Sequence, residues 1–68
     1  MLSIIEVIAK RIEDKGMLCK AVAERAGIDP KIFSLCMTGR RRFLAAEFVE
    51  VCRVLGLELT DFYSAGVV

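Results

Sequence analysis

The sequence predicts an all-α protein, a compact bundle of about five short helices, and two observations carry that expectation. Gly16, Gly27, Gly39 and Gly56 each follow a helix-like stretch, where a left-handed residue closes a helix at least cost. No stretch alternates with period two in β-branched residues, and no Asn-Gly-type hairpin dipeptide occurs, which leaves no strands. The 68 residues make a single domain, 1–68, because an independent core usually needs about 50 residues or more.

Ile5, Ile8 and Ile12 recur at helical spacing with Glu6, Lys10, Glu13 and Asp14 between them, so a first amphipathic helix spans roughly residues 2 to 14. Leu18, Val22 and Ala26, spaced four apart, mark the buried side of a second helix of roughly residues 17 to 25, with Lys20 and Glu24 on its outer side. The third start is the best marked. Asp29 can cap free amides while Pro30 takes the first helical position at no hydrogen-bond cost, and the helix then runs to about Thr38. Leu44, Phe48, Val51, Cys52 and Leu55 trace one face of a fourth helix that stops at Gly56. Thr60 to Ser64 is long enough for a short fifth.

With 56% apolar residues and a single proline, the chain has enough apolar material to fold, which excludes disorder and collagen-like repeats. No apolar run reaches the roughly 18 residues of a membrane span, and Met1 to Ala9, interrupted by Glu6 and without a basic leader, does not read as a signal peptide. Histidine is absent, which removes the commonest general base and the commonest metal ligand together. No paired carboxylates, phosphate-cradling glycine loop or nucleophile with its base appears, so the expectation is no enzyme, no metal, no cofactor and no small-molecule ligand. Cys19, Cys36 and Cys52 form no C-x-x-C pair and cannot close an even disulfide framework. They are expected as small buried apolar side chains in a reducing cytoplasm.

The formal charge of +1 conceals an uneven distribution. Residues 1–30 sum to zero and residues 43–68 to minus three, while Lys31, Arg40, Arg41 and Arg42 lie between them with no acid. Such a segment suits a polyanion-binding face; the plainer alternatives are a solvated loop, or an arginine paired with Glu47 or Glu50.

Two short helices separated only by Ala26 to Ile28, the second well capped, make the arrangement of a helix-turn-helix at residues 19–38. Within Cys19–Thr38, Ala23, Gly27 and Phe33 stand at the fifth, ninth and fifteenth positions. A small Ala23 lets the next helix approach, Gly27 can take the positive φ of the turn, and Phe33 anchors helix three to the core. The wider run, Ala-Glu-Arg-Ala-Gly-Ile-Asp through Thr-Gly-Arg-Arg-Arg-Phe to Val-Cys-Arg-Val-Leu-Gly-Leu, resembles the Cro/CI (XRE) family of phage and bacterial regulators over about residues 5 to 63.

That resemblance implies a lambda-repressor-like DNA-binding domain, with helix three in the major groove and helix two across the backbone. The groove-facing positions it implies here are Pro30, Lys31, Ser34 and Leu35, with Thr38 near the end. The sequence departs from the family where relatives commonly carry glutamine or arginine: it offers one lysine, one serine and two side chains that cannot hydrogen-bond. Lys31 can reach guanine acceptors, Ser34 a base or phosphate, and Leu35 a thymine methyl. For Leu35 and Ile32 the alternative is burial against another protein or the core. A second departure is Leu18 and Cys19 at the start of helix two, where relatives place a hydroxyl cap and a phosphate-binding glutamine; Lys20 is the nearby charge. In the resembled geometry Arg40, Arg41 and Arg42 leave helix three at the groove edge, able to grip phosphates or enter the minor groove.

A core this small commonly gains by dimerising. In the resembled family the segment around helix five often supplies a two-fold contact, so Leu57, Leu59, Phe62, Tyr63 and Val67 are the candidate homodimer interface. Closure of the monomer's own core by Leu59 and Phe62 is the alternative. The expected function is a sequence-specific regulator of transcription, a repressor of phage or small bacterial type, with double-stranded DNA as partner. The alternative is a protein-interaction module on the same scaffold, such as an antirepressor, an antitoxin or a regulator subunit.

Overall fold

Helix boundaries in the computed structural model, which describes residues 3–66, follow from where backbone amides find acceptors. The elements are α1 (Ile4–Asp14), α2 (Cys19–Ala26), α3 (Pro30–Met37), α4 (Ala45–Leu55) and α5 (Leu59–Ser64), with no strand among the described residues. The fold is therefore all-α with five helices, in the expected order. None of the helices is long and apolar enough to cross a membrane.

Ser3 fixes the start of α1. Its Oγ accepts from the Glu6 amide at 3.2 Å while Glu6 Oε1 accepts from the Ser3 amide at 3.2 Å, a reciprocal cap that satisfies two free donors. The expected start at residue 2 lies outside the described residues, and the cap puts the first helical residue at Ile4. At α3 the Asp29 carboxylate accepts from the Lys31 amide at 2.8 Å with Pro30 in the first turn, as its sequence predicts. The α2 start has no side-chain cap, because Leu18 stands where an oxygen is needed. At α4 and α5 an acid reaches back instead. Glu47 Oε1 accepts from the Leu44 amide at 2.9 Å, and Asp61 Oδ2 from the Glu58 amide at 2.7 Å.

The α2–α3 turn depends on Gly27. At φ 74° it is left-handed, which lets the Ile28 amide turn back to the Ala23 carbonyl at 2.9 Å and buries the Ile28 side chain under the helix it has just left. The end of α4 repeats the device, with Leu57 donating to the Cys52 carbonyl at 2.8 Å and tucking inward.

The core is one apolar cluster in which Ile8, Val22, Phe33, Val51 and Leu55 are fully enclosed. α2 packs against α3 and α4, and α1 spans α3, α4 and α5. Phe33 anchors α3 as expected. It also begins a chain of tilted rings, Phe33–Phe43 at 5.9 Å, Phe43–Phe48 at 6.5 Å and Phe48–Phe62 at 5.6 Å, that joins α3 to α5 through α4. Arg11 adds a polar tie that its place in the first helix did not announce. Its guanidinium donates to the Leu55 and Gly56 carbonyls at 3.1 and 3.2 Å and to Asp61 Oδ1 at 3.2 Å, so a cation sits at the carboxyl end of α4 and pins α1 to α5.

Several expected positions differ. Leu18 is 75% exposed because it precedes α2 rather than lying on it, and the buried stripe is Val22, Ala23 and Ala26. Leu44 likewise precedes α4 and is exposed. Of the three cysteines only Cys36 is buried; Cys52 is half-buried and Cys19, in the first turn of α2, faces solvent. Burial pushes the Cys52 thiol up. Lys20 and Glu24 both lie on the outer side of α2 without pairing.

Leu57 and Phe62, expected at a dimer interface, are core residues at 8% and 4% exposure. The turn after Gly56 and the ring contact with Phe48 draw them inward. Leu59 and Tyr63 do face solvent, so Leu59 does not close the monomer's core. Val67 lies outside the described residues.

Candidate nucleic-acid interface

The exposed face of α3 is set by helical spacing. Phe33 and Cys36 point into the core, which leaves Lys31, Ser34 and Leu35 on the outer side, with Thr38 one position beyond the last helical residue. Pro30 is exposed at the amino end. Ile32 is half-buried and packs against the core, so of Ile32 and Leu35 only Leu35 is exposed to solvent.

Beyond Met37 the chain does not run away from α3. The Arg40 and Arg41 amides both donate to the Leu35 carbonyl, at 2.9 and 3.2 Å, and Gly39 at φ 79° makes that return possible. The basic loop is thereby fastened to the end of the exposed helix face. Arg40 and Arg42 are exposed, and neither forms an ion pair among the described residues.

Arg41 departs from the expectation for its neighbours. Its Nη1 donates to Glu47 Oε1 at 2.9 Å and to Cys36 Sγ at 3.3 Å, and its Nη2 reaches Glu47 Oε2 at 3.4 Å. This forked pairing holds the Glu47 carboxyl below the usual carboxylate range and raises the Arg41 guanidinium further above its own. Glu47 also caps α4, so a single carboxylate joins the basic loop to the start of the next helix. Arg41 thus anchors the loop and offers no free charge, which is the pairing with Glu47 weighed as an alternative from sequence.

α2 supplies the second wall. Lys20, exposed and without an ion pair among the described residues, borders a groove of about 290 Å³ shared with Cys19, Pro30, Phe33, Ser34 and Thr38. The structure therefore brings Lys20, Ser34 and Thr38 together across the α2–α3 groove, with Lys31, Leu35, Arg40 and Arg42 on or beside the same helix. Cys19, expected from sequence as a buried side chain, is exposed. Its exposure follows from its place in the first turn of α2, one residue after the uncapped Leu18. Among the described residues no cluster of cysteine and carboxylate side chains could hold a metal ion.

Comparison with family models, curated proteins and solved structures finds no match to this chain.

Proposed function

We propose that the chain is a sequence-specific, double-stranded-DNA-binding regulator of transcription, with α2 and α3 as a helix-turn-helix of the lambda-repressor type and α3 entering the major groove. The observation that carries this reading is the exposed α3 face bordered by Lys20, Lys31, Arg40 and Arg42, cations without an ion pair among the described residues, two of them on a loop hydrogen-bonded back to that helix. Lys20, Arg40 and Arg42 hold phosphates, while Lys31, Ser34 and Leu35 meet base edges. A repressor acting by occupancy is the simplest use of such a unit.

A homodimer on a two-fold operator belongs to the same reading, with its interface moved to the outer side of α4 and α5. There Val49 and Leu59 are exposed beside a shallow groove floored by Phe48, Cys52 and Phe62. The second reading, a protein-interaction module, is favoured by one observation: Leu18, just ahead of α2, and Leu35, on α3, expose apolar surface on the side that would face DNA.

Selection from randomised duplex DNA at near-physiological salt separates the two. Enrichment of a palindrome with half-sites about one helical turn apart is expected of a dimeric regulator. A folded protein that enriches nothing, and that loses a protein partner on Leu35→Arg, is the interaction module.

A further inference from the structure

The polar equipment of the exposed α3 face is smaller than its sequence suggests. Thr38 Oγ1 shares its one proton between the Ser34 and Leu35 carbonyls at 3.1 and 3.2 Å, so it has no donor left for a base and its methyl remains to meet a partner. Leu35, 37% exposed, and Pro30 add further apolar surface. The α2–α3 groove alongside is walled largely by carbon and sulfur, from Cys19, Pro30, Phe33 and Met37. Lys31 and Ser34 are left as the free polar side chains of α3.

Each base pair presents its own groups in the major groove. Guanine is best met by a forked donor, adenine by an amide and cytosine by a carboxylate, whereas thymine displays a 5-methyl group that apolar carbon recognises. The α3 face has no fork, no amide and no outward carboxylate beyond the capping Asp29, one of whose two oxygens is held by the Lys31 amide at the amino end. The flanking cations commit the occupant to a polyanion. Charge and apolar shape together suit one partner, a duplex whose methyl groups line the groove.

Resting on the DNA-binding reading above, we infer that α3 reads thymine 5-methyl groups, received by the apolar surface of Leu35, the Thr38 methyl and the Cys19–Pro30 groove. The operator is then marked by thymines beneath α3, with Lys31 and Ser34 giving secondary discrimination. Specificity arises from buried methyls, so it is modest at each base pair and accumulates over several.

The test replaces thymines of the selected site one at a time by deoxyuridine, which keeps every hydrogen-bonding group and removes only the methyl. Binding is expected to weaken by about threefold to fivefold at each methyl that α3 covers, the worth of one buried methyl group. Thr38→Ser keeps the hydroxyl bonds and deletes the side-chain methyl, and Leu35→Ala shortens the other apolar contact. Each variant, shown folded by circular dichroism, should abolish the thymine-to-uracil difference at one position. Equal affinity for thymine and uracil at every position overturns the inference while leaving DNA binding intact. A folded protein that binds no duplex overturns the inference and the functional reading together.

Discussion

Arg41 and Glu47 show how one residue can be misread from its neighbours. Three consecutive arginines look equivalent in sequence, yet among the described residues only Arg41 finds a carboxylate, because Glu47 lies six residues on and α4 turns it back over the loop. The exposure of Lys31, Ser34 and Leu35 was legible, since it follows from the spacing of Phe33 and Cys36 within one helix. Pairing across a loop has no such local signal. The pair also carries a pH dependence. Because folding holds the Glu47 carboxyl below its ordinary value of 4.5, the stability it adds is complete above that pH and is lost as pH falls through the lower folded value. Urea midpoints measured from pH 7 to 3 should therefore fall more steeply below 4.5 for the native chain than for Glu47→Gln. Arg11 was likewise silent in sequence, its partners lying more than forty residues away. Arg11→Met keeps the apolar stem and removes the bonds to two carbonyls and Asp61; equilibrium unfolding should show a loss of about 1.5–3 kcal/mol.

Among the elements, glycines and apolar spacing located the first four helices and a cap sharpened the third, while two leucines were misplaced where a helix starts without its own N-cap oxygen. Leu18 and Leu44 are in register with the stripes that follow them, so periodicity alone included them; both are N-caps and point to solvent. The uncapped start of α2 is a local weakness that substitution can repair. Leu18→Ser should raise stability by about 0.5–1 kcal/mol, read as a higher urea midpoint, because a hydroxyl there can accept from a free α2 amide. Gly27→Ala tests the turn that sets α3 against α2. Nothing lies within 4 Å of an added Cβ, so the cost is conformational alone, about 1–2 kcal/mol for a left-handed alanine.

For the whole molecule, the five-helix, all-α architecture was legible because punctuation and period agree along the chain. Which apolar residues of the last segment turn inward was not, since Leu59, Phe62 and Tyr63 fit either a core or an interface until α4 is in place. Phe62 completes the aromatic chain and Leu59 stays outside, 73% exposed. The two should therefore separate on substitution: Phe62→Ala loses about 3–5 kcal/mol of stability, while Leu59→Lys leaves the monomer folded and, in sedimentation experiments, removes the self-association that the proposed dimer requires of the native chain. The central claim is that the cations around α3 serve a phosphate backbone. Fluorescence anisotropy of the chain against the selected duplex, titrated across salt concentrations, tests it most directly. Engagement of phosphates by Lys20, Arg40 and Arg42 predicts a log-log slope of about −2.5 to −3 per chain, falling in magnitude by about 2 when Arg40 and Arg42 are both changed to alanine. A slope that is flat, or unchanged in that double variant, would contradict the account.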